Sequence, residues 1–234
     1  MNLLAIETSG PVLSVAVKKG RAKVRQAVLK GFSRHAETLL PLIDRLLKKE
    51  RFKLRDIDAF LIGRGPGSFT GLRVGFATLK GLITLRKKPC YGAFSLDMIA
   101  GGIPACKNGK LHVCLDAKRD KLYTRFYRYS KKGWTPQGAA AVRSFEDMAQ
   151  ALGETDRIAG DGLTAGKNKL LGLLKKDPCR VPERYWHPRA ATLIRWFEEK
   201  NTMLKPLTRP KELLPVYLRL SEPEEKHREK KERS

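Results

Sequence analysis

The chain has 234 residues, of which 41% are apolar, and this is enough to bury a core without disulfide bonds. No apolar run approaches the roughly 18 to 20 residues that a membrane-spanning helix needs. The first residues lack the basic leader of a signal peptide. We therefore expect a globular, cytoplasmic protein of one large domain or two packed halves.

Charge is the unusual feature of the composition. The chain contains 48 Lys and Arg against 24 Asp and Glu, a formal net charge of +24. Such a surplus attracts polyanions, and nucleic acid is the obvious candidate because phosphate contacts dominate that affinity. The basic residues are spread along the whole chain, which favours a general affinity for polyanions such as tRNA over a dedicated groove. A lysine-rich proteome would produce the same composition.

The first half of the chain alternates strand-like and helix-like segments. A continuous apolar run at Leu3–Ile6 predicts a buried strand, and two more strands follow at Leu13–Val17 and Val24–Leu29. Apolar residues three and four apart predict a helix over Arg34–Glu50. The remaining elements are a strand at Asp58–Gly63, a helix at Leu72–Leu85, a strand at Pro89–Ala93 and a helix that Ser95 opens as its cap. This order is the unit of the actin, hexokinase and heat-shock ATPase fold.

A second, shorter unit begins near Lys110. We predict strands at Leu111–Leu115, Leu122–Tyr129 and Arg157–Gly160, and helices at Phe145–Leu152 and Ala190–Lys200. The predicted fold class is α/β: an actin-like (ASKHA, ribonuclease H-like) two-lobe fold with a reduced second lobe. The predicted divisions are an N-terminal lobe at 1–109, a C-terminal lobe at 110–220 and a charged tail at 221–234 that we expect to be disordered.

The four cysteines do not form a metal or disulfide pattern. Cys90, Cys106, Cys114 and Cys179 make no C-x2-C pair, and none lies near a histidine at zinc-finger spacing. Cys90 and Cys114 fall in strand-like runs, where a thiol usually behaves as a small core residue. We therefore predict no metal site.

Glu7, Thr8 and Ser9 directly follow the first predicted strand. An acid followed by hydroxyl residues at this place in an actin-like ATPase meets the nucleotide phosphate, and the acid helps to hold magnesium. Such residues are also ordinary turn chemistry. The sequence therefore leaves a degenerate phosphate turn and a structural turn as alternatives.

A glycine-rich stretch runs from Gly63 to Gly75 and is not a P-loop, because the required Gly-Lys-Ser/Thr is missing. Its glycines and Pro66 fit a tight strand-to-helix turn. Gly71, Gly75, Thr78 and Leu82 then recur at helical spacing. A helix face of this kind allows another segment to approach closely. That segment is either the protein's own sheet or a partner protein.

Five segments together resemble the TsaB family of bacterial tRNA threonylcarbamoyladenosine biosynthesis. They are LAIETS at Leu4–Ser9, RHAETLLP at Arg34–Pro41, GRGPGSFTGLRVG at Gly63–Gly75, LDAKR at Leu115–Arg119 followed by Leu122 and Tyr123, and PVYLR at Pro215–Arg219. The third segment is close to diagnostic. The resemblance is dense over residues 1–123 and thin over residues 130–210.

The resemblance implies a scaffold that assists an enzyme. Members pair with a paralogous transferase, TsaD, which transfers the threonylcarbamoyl group to the adenosine next to the anticodon; a small ATPase, TsaE, joins them, and members also form homodimers. The helices near residues 34–50 and 70–85 are then expected to pack against the partner. The interface residues that we predict are Leu39, Ile43, Leu46, Gly71, Val74, Gly75, Thr78 and Leu82.

The resemblance also implies that catalysis has been lost. The paralogue's metal-binding His-x3-His pair would fall near Ser95 and Ile99, which cannot bind a metal. The nearest counterpart in this chain to the paralogue's glycine-rich adenosine-binding loop is Gly160–Gly162, which is too short to form such a loop. We expect no catalytic residue and no resident cofactor, with room for weak ATP or ADP binding at the interface with partners. The alternatives are a weak nucleotide-binding transferase or hydrolase, and a stand-alone RNA-binding module.

Overall fold

Two β-sheets with packed helices form the framework in the computed structural model of the chain. It describes residues 1–31, 35–84, 87–106, 109–131, 133–174 and 179–219. The predicted tail at 221–234 lies outside the described residues, as do Arg34 and Leu85 at the ends of two predicted helices. The described elements confirm the predicted α/β class.

The predicted elements occur in the predicted order, with further short elements between and after them in the second half of the chain. The strands are β1 (Leu3–Glu7), β2 (Val12–Lys18), β3 (Arg25–Lys30), β4 (Ala59–Gly63), β5 (Cys90–Ala93), β6 (Lys110–Asp116), β7 (Lys121–Ser130), β8 (Gly133–Pro136), β9 (Ala141–Ser144), β10 (Arg157–Ala159), β11 (Cys179–Arg180) and β12 (Lys205–Pro206). The helices are α1 (His35–Lys49), α2 (Phe69–Thr84), α3 (Ser95–Gly102), α4 (Phe145–Ala151), α5 (Ala165–Leu173) and α6 (Ala190–Glu198).

The first sheet has the strand order β12-β5-β4-β1-β2-β3. Strands β1, β2 and β3 are antiparallel neighbours, whereas β4 and β5 run parallel to β1. Side chains alternate along β1, as strand geometry requires. Leu4 and Ile6 join a core cluster with α1 and α2, and Leu3 and Ala5 join a cluster with α6. Both faces of this sheet are therefore covered.

The second sheet repeats the same topology with shorter elements. Its order is β11-β10-β6-β7-β8, with β9 paired to β7. The antiparallel set β6-β7-β8 corresponds to β1-β2-β3, and the parallel strands β10 and β11 correspond to β4 and β5. Helices α4 and α5 have 7 and 9 residues, whereas α1 and α2 have 15 and 16. The second lobe is therefore a reduced copy of the first.

Each lobe is completed by a helix from the other part of the chain. Helix α3 packs its Leu96, Ile99 and Ala100 with residues of β6 and β7, and Asp97 accepts hydrogen bonds from Arg125 and Tyr127 of β7. Helix α6 packs on β1, β2 and β4 of the first sheet. Strand β12 pairs with β5. The predicted boundary is therefore corrected, because residues 190–206 belong structurally to the first lobe.

Some predictions about single elements were wrong or incomplete. Ser95 does not cap α3, because it is already the first helical residue and Phe94 occupies the extended position before it. The Ser95 hydroxyl instead donates to Glu7 Oε2 at 3.3 Å. Strands β8, β9, β11 and β12 and helix α5 were not predicted from the sequence.

Candidate functional site

The predicted phosphate turn, Glu7-Thr8-Ser9, is enclosed by the protein. Glu7 and Thr8 are 0% exposed and Ser9 is 2% exposed. The Ser9 backbone N–H donates to Glu7 Oε1 at 2.5 Å. Burial raises the pKa of the Glu7 carboxyl, and the hydrogen bonds from Ser9 and Ser95 only partly oppose that shift. Glu7 therefore contacts the protein interior and is not positioned towards solvent.

The glycine-rich stretch encloses this turn. A Cβ atom on Gly71 would lie 2.1 Å from the Thr8 carbonyl oxygen, and one on Gly75 would lie 2.3 Å from Thr8 Oγ1. The turn before the helix also closes on β1, because the Ser68 backbone N–H donates to the Ser9 carbonyl oxygen at 2.7 Å. The glycine face of α2 is therefore turned towards the protein's own first strand. Gly71 and Gly75 are corrected as predicted interface residues for this reason.

Two hydroxyls in this enclosed turn lack a hydrogen-bond partner within the described structure. They are Thr8 Oγ1 and Ser9 Oγ. Thr8 is held between β1 and the start of α2, but Ser9 also lines an open cavity. Ser9 is therefore the member of the predicted phosphate turn that contributes to the wall of this cavity, although it is itself only 2% exposed.

That cavity is the interlobe cleft, with a volume of about 510 Å³. Its walls come from the start of α2 in the first lobe and from two turns of the second lobe. The lining residues include Gly10, Pro11, Ser68, Phe69, Thr70, Asp116, Lys118, Arg119, Asp161, Thr164, Ala165, His187 and Arg219. The N-termini of α2 and α5 both lie at the cleft, because both helices follow the carboxyl ends of parallel strands.

The cleft carries charges of both signs. Lys118 Nζ lies 2.6 Å from Asp116 Oδ2, and Asp161 Oδ1 accepts from the Asp116 backbone N–H at 3.0 Å. Burial raises the pKa of Asp161 to about 6, with a further contribution from nearby Asp116. The Gly160–Gly162 turn, which the sequence analysis singled out, therefore places a carboxyl group of unusually high pKa in this cleft.

A C-terminal segment crosses from one lobe to the other beside the cleft. We call residues 213–219 the strap. Val216 donates its backbone N–H to the Arg64 carbonyl oxygen at 2.8 Å, and Tyr217 stacks on Phe69 with ring centroids 4.6 Å apart. Arg219 donates to the carbonyl oxygens of Ala117 and Lys118. The strap therefore links the glycine-rich turn of the first lobe to the β6–β7 turn of the second.

Most of the predicted interface residues are core residues. Leu39, Ile43, Leu46 and Leu82 are no more than 8% exposed and pack in one cluster with the first sheet. The wide apolar arc of α1 is used for this core, which corrects the prediction at these four positions. Val74 and Thr78 are half-buried. Whether α1 and α2 carry an interface stays a prediction, but four of the residues predicted for it lie in the core.

The surface that α1 and α2 leave exposed is different. The two helices are in contact with one another on the same face of the first sheet. Leu40 of α1 is 52% exposed. The solvent side of α2 carries the exposed cations Arg73 and Lys80 and, three or four apart, five small and mid-sized residues: Thr70, half-buried Val74, Ala77, Gly81 and Thr84. We call Leu40 and these five residues the α1–α2 face.

The remaining observations concern metals, thiols and membranes. Cys90 and Cys114 are buried in the core, as predicted, and burial raises the pKa of Cys90 to about 11. Within the described ranges, no group of three or more His, Cys, Asp and Glu side chains could hold a metal ion. Of the helices in the described part of the chain, none combines the length and apolarity needed to cross a bilayer.

Comparison with known proteins identifies the family. A family model described as TsaD, tRNA N6-adenosine threonylcarbamoyltransferase, matches residues 31–175, which is more than half of the chain. The TsaB protein of Escherichia coli, named for tRNA threonylcarbamoyladenosine biosynthesis, is 30% identical over 170 residues, 71% of each chain. The chain belongs to the TsaB family. It carries the TsaD-type domain, and the resemblance drawn from its motifs is confirmed.

Two further relatives extend the match over almost the whole chain. The Bacillus subtilis TsaB protein is 26% identical over 230 residues, 97% of both chains. A solved structure, YeaZ from Pseudomonas aeruginosa, superposes with a TM-score of 0.77 at 25% identity, covering 93% of this chain and 99% of that one. The actin-like two-lobe fold of this TsaB-family chain is therefore confirmed in both lobes.

Proposed function

We propose that the chain is a non-catalytic scaffold or activator in the synthesis of N6-threonylcarbamoyladenosine on tRNA, and that it docks on a TsaD-type transferase. Membership of the TsaB family supports the pathway, since curated relatives are named for it. The observation that carries the docking role is the α1–α2 face. It lies on the two longest helices of the described structure and exposes apolar Leu40 on α1 and a row of small residues on α2.

The physical basis of docking is close approach of helices. Small side chains such as Ala77 and Gly81 let a partner helix come near the backbone of α2, so that many weak contacts form. A Cβ atom on Gly81 would meet nothing within 4 Å, so this position is open in the isolated chain. Leu40, half-exposed on α1, supplies an apolar anchor whose burial stabilises the complex by about 1 to 2 kcal/mol. The partner would present a similar pair of helices.

The same face can serve a second copy of the chain. A homodimer and a complex with the transferase then compete, because each covers the α1–α2 face. A TsaE-type ATPase would join at another surface of the assembled pair. Adding the transferase to the homodimer should therefore convert it to a mixed pair.

The absence of catalysis is also part of this proposal. The enclosed Glu7-Thr8-Ser9 turn supports it, because the Glu7 carboxyl is 0% exposed and hydrogen-bonded within the protein. In this position it cannot reach a phosphate or its magnesium ion. Any nucleotide would have to bind at the interface with partners or in the interlobe cleft.

Replacing Gly81 by arginine tests the docking surface. Gly81→Arg places a long charged side chain on the α1–α2 face while raising helix propensity by about 0.8 to 1 kcal/mol, so the chain should fold at least as well. We expect its affinity for the transferase, measured by titration calorimetry, to fall about 100-fold or more. The homodimer should weaken in parallel in sedimentation experiments.

The matched control is Gly172→Arg, on the exposed side of helix α5. A Cβ atom on Gly172 also meets nothing within 4 Å, so the two substitutions are equally tolerable to the fold. Pairing of Gly172→Arg should equal that of the unmodified chain. Unchanged pairing of Gly81→Arg would overturn the proposed surface, and normal modification of tRNA in a reconstituted system that omits the chain would overturn the scaffold role.

The interlobe cleft favours a second candidate function, weak binding or hydrolysis of a nucleotide. Its volume of about 510 Å³ and its basic residues Lys118, Arg119 and Arg219 support this alternative. The scaffold proposal predicts no ATP turnover by the pure chain. Turnover that is lost on Lys118→Ala would favour the alternative.

A further inference from the structure

Folding gathers basic residues that are spread along the sequence. In the first sheet, β1, β4 and β5 are parallel and β2 is antiparallel to β1, with Lys18 opposite Leu3. The β2–β3 turn, the segment after α1 and the segment before β5 therefore reach the same edge of the sheet. This edge lies at the opposite end of β1 from the interlobe cleft. We call residues 18–25, 48–55 and 87–88 the basic edge.

Hydrogen bonds hold the parts of the basic edge together. Lys19 Nζ donates to the Arg51 carbonyl oxygen at 2.8 Å, which joins the β2–β3 turn to the end of α1. Asn2 lies between them, since its Oδ1 accepts from the Gly20 backbone N–H at 2.9 Å and its Nδ2 donates to the Asp56 carbonyl oxygen at 2.8 Å. The turn and the α1–β4 connection therefore form one continuous surface.

The charge of this surface is strongly one-sided. Nine exposed Lys and Arg side chains belong to it between residues 19 and 55: Lys19, Arg21, Lys23, Arg25, Lys48, Lys49, Arg51, Lys53 and Arg55. Glu50 is the acidic residue within these segments, and Asp56 directly follows the second one. Glu50 lies 3.4 Å from Arg25, Asp56 lies 3.9 Å from Arg55, and Asp44 of α1 pairs with Lys48 at 2.7 Å. These contacts leave a large positive surplus.

We infer that the basic edge binds the phosphate backbone of folded RNA, and that tRNA is the RNA it holds. The choice of tRNA rests on the proposed function; the choice of RNA backbone rests on the surface itself. Lysine and arginine side chains spread over a turn and a helix end can contact several phosphates at once, without reading the sequence. The basic edge also flanks the C-terminal ends of α1 and α2, so bound RNA can extend along a partner on the α1–α2 face.

A membrane surface is the other polyanion that such a patch could meet. Binding to a membrane requires an amphipathic element that inserts large apolar side chains beside its cations. The residues between the cations of the β2–β3 turn are Gly20, Ala22 and Val24, and the large exposed apolar side chain near them is Met1, at 61%. The surface therefore favours RNA over lipid.

Fluorescence anisotropy with a labelled tRNA transcript tests this inference on the isolated full chain. The test variant carries Arg21→Gln, Lys23→Gln and Lys49→Gln. The control carries Lys110→Gln, Arg128→Gln and Lys131→Gln, exposed cations of the second lobe, and so loses the same charge. Each lost phosphate contact lowers the slope of log K against log salt by about 0.7 to 0.9. We expect the test variant to bind about 100-fold more weakly near 0.1 M salt, and the control to change less than about threefold.

The outcomes separate the alternatives. Equal losses in both variants would overturn the inference in favour of the diffuse charge of the whole chain. Failure to bind tRNA, with salt-sensitive binding to vesicles of anionic phospholipid, would overturn it in favour of a membrane. Pairing with the transferase is measured in parallel on both variants. Intact pairing without tRNA affinity would sink this inference and leave the proposed scaffold role standing.

Discussion

The two lobes share one topology and use it differently. In the first lobe, the turn after β4 and the glycine face of α2 close over Glu7-Thr8-Ser9, so that the equivalent of a phosphate turn is packed inside the protein. In the second lobe, the turn after β10 stays at the interlobe cleft and places Asp161 there. Long helices accompany the closed turn, and short helices accompany the open one. Of the two copies of this topology, the first thus has a buried turn and long surface helices, and the second has a turn that lines a cavity.

The largest effect should come from filling the closed turn. Gly75→Ala would put a Cβ atom 2.3 Å from Thr8 Oγ1, inside a fully buried site. We expect the free energy of unfolding, measured with urea, to fall by about 3 kcal/mol. Gly81→Ala on the same helix should instead raise it by about 1 kcal/mol, because the added methyl group meets open space. Similar free energies of unfolding for the two variants would contradict the close packing of α2 against Thr8.

The turn after β10, which places Asp161 at the cleft, should affect the pH dependence of stability. The pKa of Asp161 in the folded chain, about 6, exceeds the ordinary value of 3.8, so folding favours the protonated form. Between pH 4 and pH 6 the free energy of unfolding therefore falls as pH rises, by at most about 1.4 kcal/mol per pH unit from this group. We expect Asp161→Asn to become the more stable protein above pH 6 by about 2 kcal/mol, with no difference below pH 4. If urea titrations gave the same difference in free energy of unfolding between the two proteins at every pH in this range, the raised pKa of Asp161 would be refuted.

The smallest effect should come from the strap that joins the two turns. Tyr217→Ala removes the ring that stacks on Phe69 and should lower the free energy of unfolding by about 1 kcal/mol. Amide hydrogen exchange at residues 213–219 should accelerate at the same time. Leu214→Ala in the same strap is the control, because Leu214 is 46% exposed, close to the 40% of Tyr217, but has no ring stack to lose, and its effect should therefore be smaller. Unchanged exchange in Tyr217→Ala would show that the strap is held elsewhere.

The sequence predicted the first lobe well, because its signals are local. The buried strands are continuous apolar runs, and α1 has a clear three-and-four spacing. The short elements of the second lobe were missed because their local sequence signals are weak. Helix α5 has little apolar periodicity, and Gly166 and Asn168 adopt positive φ angles of 56° and 67° within it.

The candidate site was predicted less well, because its contacts are distant in sequence. A glycine face predicts close approach, but the approaching segment is Thr8, more than sixty positions away from Gly71 and Gly75. An apolar arc likewise cannot show whether it meets the protein's own sheet or a partner. The gathering of separate basic segments at one edge follows from strand order, which composition does not contain.

The exchange of α3 and α6 between the lobes affects how the chain can be made. The side of the first sheet that carries Leu3, Ala5 and Leu61 is covered by Leu193, Ile194 and Trp196 of α6. During synthesis the ribosome translates strands β1 to β5 of that sheet long before it translates α6 and the short edge strand β12. The nascent chain therefore exposes an uncovered apolar surface until its last quarter emerges, and transiently exposed surfaces of this kind are prone to aggregation.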